Sequence, residues 1–507
     1  MSVAAEASTI GFGRTPVRAV SSAVAPRREL DPLSQRARRM IRQGYDAAAT
    51  TAENRRHWAN ADALSARAAH SPAVRRMLRI RARHEIANCP LARGILTKLA
   101  DFVVGTGPRL QVTTLNRTYN RYIETEFNRW CVKAKFARKL WQMRFSKAQN
   151  GEAFAVFGTN YRLSTPVKLD VRTIEADQVA DPSLVAYDTT GSDGILFDDF
   201  GNPLAYRILK QHPGDLYLGG FGAFAADTEP AENVLHYFNA ERAGQVRGVP
   251  EVTAGLPLYA FRRRYMLAVV AAAETAANHA GVIKTNASAV NPDDTVESLD
   301  EVELSRNSFT TLPFGWDLGQ LKAEQPTTTF DAFDRALIRE IARCVNMPYG
   351  IAAGDSSPYN FASGKLDLTP WFQTVRIEQD RLEDDVVDPT FERWYHEARL
   401  IPGYLPAAPE GFNARYAPPH GYFWDGQELL DPRETGAKAE SLKNGFGTQN
   451  RIWARQGLDV VDEWEREAVT LGLTIEQYRE LIIQSVFGHR DAAAKPPLHP
   501  GDPNADA

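Results

Sequence analysis

Few residue patterns in this chain could do chemistry, and most lack a part that the chemistry needs. Gly105-Thr106-Gly107 has two glycines of a phosphate cradle but neither the further glycine nor the Lys-Ser/Thr pair, so it reads as packing at a tight turn. His84-Glu85 opens like a zinc-protease helix, yet Asn88 stands where the second histidine belongs one turn later; a solvated helix face is the simpler reading. There is no G-x-S-x-G elbow from which a serine could attack. The run Glu383-Asp384-Asp385 has the ligands for a divalent ion, although consecutive carboxylates more often line a solvated face. Cys89, Cys131 and Cys344 are far apart, form no paired metal-ligand spacing, and read as structural thiols. Neither a catalytic constellation, a cofactor nor a metal site is expected.

What stands out instead is a polar loop without a reaction attached. Pro348 to Gly364 (PYGIAAGDSSPYNFASG) is punctuated by glycine and proline and tipped by Asp355, Ser356, Ser357, Tyr359 and Asn360, a composition that belongs at a surface. Two periodic apolar runs flank it. Phe333, Leu337, Ile341 and Val345 recur at helical spacing before it, and Leu368, Trp371, Phe372, Val375, Leu382 and Val386 after it. A loop gripped between long helices can be aimed, though the bland alternative is an ordinary connection. Thr328 and Asp331 pair as a cap for the first run. Thr369-Pro370 reads as a cap followed by proline at the first helical position, so a helix starting earlier should kink there.

The elements that position this loop are an α+β arrangement, mostly helical. With 507 residues the chain is long enough for roughly three domains. Residues 1–34 read as a flexible arm rich in Ala, Ser and Arg, with no sustained apolar region, so synthesis in the cytosol is expected. Asp31 to Lys98 is mostly helical, broken near Ser71-Pro72; Asp101 to Val112 reads as a helix end, a glycine turn and a strand. Tyr119 to Gln149 is helical again, anchored by Phe127, Trp130 and Trp141. Short strands follow at Gly151 to Gly158 and Val167 to Val171, and a hairpin turns at Asp198-Asp199-Phe200-Gly201-Asn202-Pro203. An Ala-rich helix at Tyr259 to Ile283 offers small side chains for close helix packing, and Glu274, Asn278 and His279 within it argue against a membrane span. The tail from Asp491 reads as disordered.

A net charge of −4 argues against tight nucleic-acid binding, because neutralising phosphates supplies most of that affinity. A conduit through which DNA slides without being held remains compatible with it.

Several separated, collinear segments resemble the bacteriophage portal proteins of the lambda type. They are Arg81-Ala82-Arg83 with Asn88 and Pro90, Gly94-Ile95-Leu96, Asp101 to Gly107, Gly151-Glu152-Ala153-Phe154, and Asp199 to Pro203 with Ala205-Tyr206 and His212-Pro213. Further on come His236, Arg242 to Pro250, Asp355 with Asn360 and Ser363, and Asp431-Pro432-Arg433-Glu434 with Gly445 and Thr448. The chain departs from the pattern at Asn360 to Lys365, where a tyrosine, a second serine and an arginine would be usual.

That resemblance implies a portal fold with wing, stem, clip and crown, assembled as a cyclic ring, typically of twelve copies. Carried onto this sequence, it gives a wing at 35–255, a first stem helix at 256–283, a clip at 284–328 and a second stem helix at 329–347. A tunnel loop at 348–363, a long kinked helix at 364–398, an irregular segment at 399–427, crown helices at 428–488 and a disordered tail at 489–507 complete it. The implied role is a channel at one capsid vertex through which double-stranded DNA is packaged and ejected, assembled in the host cytoplasm and residing in the virion. Implied partners are terminase, the head–tail connector or adaptor, and the major capsid and scaffolding proteins, with no membrane. The channel residues would be Asp355, Ser356, Ser357, Tyr359, Asn360 and Lys365. The motor- or connector-facing ones would be Asp293, Asp294, Glu297, Asp300, Glu301 and Glu303. Two competing readings are another head or tail adaptor, and a metal-dependent nucleic-acid-processing enzyme.

Overall fold

The computed structural model describes residues 54–182, 193–215, 225–278, 282–285, 316–319, 330–357, 359–409, 412–413, 416–426 and 459–487, with single positions between 440 and 453. The chain divides into two units, Met1–Leu64 and Ser65–Ala507. Of the first, the described part holds one 3-10 turn, Asn54–Arg56. The second carries everything below. The arm at 1–34, the clip acids and the tail lie outside the described residues.

Helices α1 (Pro72–Asn88) and α2 (Pro90–Val104) are separated by Cys89, whose φ of −116° and ψ of 111° are the extended values imposed on a residue before proline. Pro72 takes the first helical position as the sequence implies, but the Ser71 side chain makes no capping bond. Gly105, at φ 51°, ends α2 and leads into β1 (Arg109–Val112). The expected single helical stretch at 119–149 is instead two helices, α3 (Arg117–Ala134) and α4 (Phe136–Asn150), hinged at Lys135 in the left-handed region at φ 54°. The reversal lets Trp130 and Phe136 meet at 5.5 Å inside one core, which a straight helix could not do.

Strand β2 (Glu152–Thr159) is the centre of an antiparallel sheet between β3 (Leu169–Ile174) and β7 (Val234–Phe238). The predicted hairpin is β4 (Ile195–Phe197) with β5 (Pro203–Leu209), extended by β6 (Ala226–Pro230). At its tip the Asp198 carboxylate accepts hydrogen bonds from the backbone N–H groups of Phe200 (2.9 Å) and Asn202 (2.7 Å).

The Ala-rich helix, α5 (Leu256–Asn278), stops short of Ile283. Val282–Thr285 forms β8 and pairs antiparallel with β9 (Trp316–Gly319), because the β-branched Val282, Ile283 and Thr285 suit a ladder better than a helix. No described helix is long and apolar enough to cross a membrane. Helix α6 (Phe330–Arg343) follows, and within the turn-rich segment five residues form α7 (Tyr349–Ala353), so the free loop is shorter than the sequence implies.

The next helix, α8 (Phe361–Leu382), begins at Phe361, not at Pro370, and runs through that proline. Asn360 has already capped the helix, and Thr369 donates its hydroxyl to the Lys365 carbonyl beside the proline (2.8 Å). A π turn at Glu383–Val387 follows, before α9 (Asp388–Leu400). The segment expected to be irregular after residue 399 supplies β10 (His420–Phe423), which pairs with β1. Helices α10 (Val460–Thr470) and α11 (Ile475–Phe487) close the described chain.

One hydrophobic core spans α1 to α4, the β2 sheet and the distant α8–α9 pair. Phe127 stacks on Trp130 and meets Phe391 and Trp394 edge-on at 5.1 and 5.2 Å. A smaller core of Phe154, Val156, Ile195, Tyr206 and Ile208 lies under the hairpin sheet.

Glu152, fully buried, sits between these cores and is met by cations from three directions. Arg247 binds it with Nε at 2.9 Å and Nη2 at 2.7 Å, Arg79 binds the same carboxylate, and Arg75 lies 3.6 Å away. His236 Nε2, at 3.1 Å, and the Gly248 backbone N–H, at 3.0 Å, occupy the remaining lone pairs. Asp177 and Asp193 pair with Arg79 and Arg75, so three carboxylates answer three guanidinium groups. Burial alone would raise the Glu152 pKa, but Arg247 and Arg79 hold it well below the ordinary 4.5.

Replacing Glu152 with Ala leaves buried guanidinium charge unanswered and is expected to destabilise the fold by about 3–5 kcal/mol in thermal or denaturant unfolding. Folding depresses this carboxyl's pKa, so its contribution is complete above pH 4.5 and is lost as pH falls below that value. A Glu152→Ala protein is expected to show a weaker acid-side loss of stability than the parent.

Candidate functional site

The polar loop and its supporting helix form a lever. Tyr349 and Ala352 of α7 are buried against the main core, and Gly354, left-handed at φ 67°, ends that helix and turns the chain outward. Asp355 accepts the Ser357 N–H at 2.9 Å, a local turn that Asp favours, and the Ser357 side chain and then this N–H hold its carboxyl below the ordinary value. Ser356 and Ser357 are exposed, as is Asn360.

Two of the expected contact residues have structural work of their own. Asn360 accepts the Ser363 N–H at 2.8 Å while Ser363 Oγ accepts the Asn360 N–H at 3.0 Å, a reciprocal capping box that starts α8. Tyr359 is half-buried against Gly350, where an added Cβ would lie 2.9 Å from its ring. Burial, then a hydrogen bond to Asp367, raises its pKa. Lys365 is half-buried one turn into α8. The loop is therefore an ordered point, with Asp355, Ser356 and Ser357 as its outward polar groups.

From Trp371 onward one face of α8 is buried, through Trp371, Val375, Glu378, Gln379 and Leu382, whereas the first turns expose Leu366, Thr369 and Pro370. The inner half is pinned by a second buried charge cluster. Glu378 receives Lys147 Nζ at 2.5 Å, the Asn239 amide at 3.1 Å and the Tyr237 hydroxyl at 3.2 Å. Lys147 also lies 3.3 Å from Glu251, which accepts from Arg144 at 3.0 Å. Burial pushes the Glu378 pKa up, but Arg144, Lys147 and Asn239 outweigh it and hold the carboxylate ionised. Gln379 donates to the Val103 carbonyl at 3.0 Å, tying α8 to α2. At 1.5 Å per residue, the loop tip is carried roughly 25 Å from this anchor.

Next along lies the acidic run. Asp384 is exposed, but Glu383 and Asp385 are half-buried in the π turn, so the run is not a simple solvated face. Burial, opposed by the indole N–H of Trp424, raises the Glu383 pKa to about 7, and burial raises Asp385 to about 6. The Glu85 of His84-Glu85 likewise turns inward, pairing at 2.6 Å with Arg263 of α5. Thr106 binds Asp425 with Oγ1 at 2.7 Å, so the glycine turn is a structural clasp.

Beside the loop, α5 and α6 pack together. Arg262 grips Asp334 with two bonds of 2.6 and 2.9 Å, and Tyr265 stacks on Phe330 with ring centroids 5.6 Å apart. Phe261, Leu267 and Val270 remain exposed on α5. Among the described residues one cluster has metal-ligand spacing, Glu175, Asp177 and His212. Its Asp177 is already taken by Arg79 at 2.8 Å and Arg83 at 2.6 Å, whose charges would oppose a cation.

A helix, polar-loop, helix arrangement on an α+β core is what the sequence likeness anticipates, and comparison with known proteins gives the family. The family described as phage portal protein, lambda family, matches residues 51–379. The chain belongs to this family. A probable portal protein of Halomonas phage phiHAP-1 is 24% identical over 450 residues, covering 81% of this chain and 82% of that protein. Among solved structures, a chain from the neck of a native GTA particle computed with C12 symmetry is 15% identical with a TM-score of 0.35, covering 74% of this chain and 92% of that one. A chain from the neck of an empty GTA particle computed with C6 symmetry is 13% identical with a TM-score of 0.38, covering 77% and 91%.

Within this portal-family chain the structure brings Asp355, Ser356, Ser357, Tyr359, Asn360 and Lys365 into one short segment. The expected clip acids Asp293, Asp294, Glu297, Asp300, Glu301 and Glu303, and the Thr328 cap, lie outside the described residues. Sequence reasoning missed the anchors Glu378 and Lys147, since nothing local marks a charged residue as buried. For the Glu152–Arg247 cluster there was a signal, because both residues fall inside segments that resemble the family.

Asn360→Ala is expected to cost about 1 kcal/mol at the start of α8, read as faster amide exchange over 361–364 with Trp371–Leu382 unchanged. Trp424 fluorescence is expected to titrate with a midpoint near pH 7, and Glu383→Gln to abolish that transition. Because folding raises this carboxyl's pKa, its buried charge costs stability above about 7, and that cost fades as pH falls toward 4.5.

Proposed function

We propose that identical copies of this chain close into a ring, typically of twelve, that serves as a passive channel for double-stranded DNA at one capsid vertex. The observation that carries this reading is membership of the lambda portal family combined with an ordered polar loop held out on an anchored helix. In this reading residues 35–255 form the wing, α5 and α6 the stem, 284–328 the clip and 428–488 the crown. The exposed Phe261, Leu267 and Val270 of α5 are covered by a neighbouring copy, as burial of apolar area favours.

The loop meets the duplex through its backbone and reads no bases. Asp355, Ser356 and Ser357 make the contact, Tyr359 and Asn360 hold the loop's shape, and Lys365 adds positive charge behind it. Anchoring at Glu378 transmits force on the loop into the core without bending the buried half of α8. Terminase docks at the clip, through Asp293, Asp294, Glu297, Asp300, Glu301 and Glu303, and supplies ATP hydrolysis; the head–tail connector later takes the same face. Complementary charge there sets encounter rate and partner choice more than affinity. The ring assembles in the host cytoplasm with capsid and scaffolding proteins and stays in the virion.

Size-exclusion chromatography with negative-stain imaging is expected to show hollow rings, and a folded chain that stays monomeric under every assembly condition would overturn the proposal. Replacing Asp355-Ser356-Ser357 with three glycines, which spares the Asn360 cap, is expected to leave rings intact and impair DNA packaging or retention. Unimpaired packaging would reject the loop's role.

A further inference from the structure

The chain is acidic overall, but its charge is unevenly placed. Residues 133–172 hold nine Lys or Arg and only two acids, Glu152 and Asp170. Arg144 and Lys147 are consumed inside by Glu251 and Glu378, and Lys139 by Asp170. Lys133, Lys135, Arg138, Arg162 and Arg172 are all exposed, and among the described residues no carboxylate lies within ion-pair distance of any of them.

The fold gathers these cations. Lys135 is the α3–α4 hinge, Lys133 lies in the last turn of α3, and Arg138 follows in the first turn of α4. The Lys139–Asp170 pair closes that corner onto β3, and Asn160 of the β2–β3 loop donates to the same carboxylate at 2.8 Å. On β3, Leu169 and Val171 point inward, so Asp170 and Arg172 point outward with the loop's Tyr161 and Arg162. The result borders a cleft of about 760 Å³ in which Asp170 and Glu229 are the acidic lining groups. Arg162 and Arg172 line the cleft, and Lys133, Lys135 and Arg138 carry the positive charge on at the α3–α4 junction, a spread that attracts an extended row of negative charge, not a single small anion.

We infer that this corner is a second, sequence-independent nucleic-acid contact outside the channel, taking the phosphate backbone of duplex DNA. The inference rests on the portal reading for the choice of polyanion. It also reconciles a net negative chain with DNA contact, since attraction is confined to one patch while the loop that faces moving DNA carries little charge.

The test uses the full-length, assembled protein and covalently closed circular duplex DNA, which cannot thread a closed ring. Wild type is expected to bind the circle in a salt-dependent manner. A variant with Lys133→Glu, Arg138→Glu, Arg162→Glu and Arg172→Glu should lose at least about tenfold in affinity and lower the slope of log K against log salt by roughly 3–4, at ~0.9 per phosphate contact. The corresponding Gln variant, gentler on folding, should fall between, and Arg76→Glu with Arg93→Glu should change nothing. Equal binding by wild type and both patch variants overturns the inference. So does loss of rings in the patch variants, which would make the corner a contact between copies, or binding of polyglutamate but not of the circle. Absence of rings in wild type counts against the portal reading alone, because circle binding still reports on the patch.

Discussion

A buried carboxylate survives only where its charge is answered, and Glu152 is the point on which this molecule's layers converge. Its partners come from α1 (Arg75, Arg79), from β7 (His236) and from the segment after it (Arg247, Gly248). Each partner is itself committed elsewhere: Arg79 to Asp177 and the Asn150 carbonyl, Arg247 to the carbonyls of Val179 and Ala176. Backbone contact enforces the same meeting. Gly151 sits at φ 90°, and a Cβ there would lie 2.4 Å from Val249, while one on Gly248 would lie 2.0 Å from the Gly151 carbonyl. No side chain fits at either position, so the glycines and the ion cluster form one device that fixes the helical layer against both sheets.

The same logic recurs at Glu378, with a different outcome. Here the cluster lies between a long helix and the sheet, and it divides α8 into a half with one buried face and a half that stands largely outside the core. A helix held at one end by charge, hydrogen bonds and packed tryptophan is a stiff lever, and the capping box at Asn360 keeps its free end from fraying. The π turn just beyond the anchor is where the helix gives up regularity, and it holds Glu383 and Asp385 away from full solvation. Rigidity and irregularity are thus separated along one element, with the loop on the rigid side.

Much of this was legible in order along the chain. Helix, glycine turn and strand at 101–112, the strands flanking the β2–β3 loop, and the 195–209 hairpin follow from periodicity and turn chemistry, which act over a few residues. The loop between two helical runs was legible for the same reason. Less so was the hinge at Lys135, where a lysine adopts a conformation usually left to glycine because the aromatic core on both sides requires the reversal. Pro370 misled, since a proline that can begin a helix can also be carried inside one when the cap lies upstream. Strand β10 was illegible because its pairing partner, β1, is some three hundred residues earlier.

By itself the sequence determined the family, the polar character of the loop, the helices around it and the lack of any familiar catalytic motif, because residue type and short-range spacing encode these. Only the tertiary structure decided which charges are buried. Glu378 and Lys147 look in sequence like any surface residues, and Lys133, Arg162 and Arg172 look no different from them; the family-like segment around Glu152 and the acidic run at Glu383 drew notice, but not as buried charge. Whether a charge is spent inside or left facing water depends on segments brought together from across the chain, and desolvation is a property of that assembled environment, not of the residue that carries the charge.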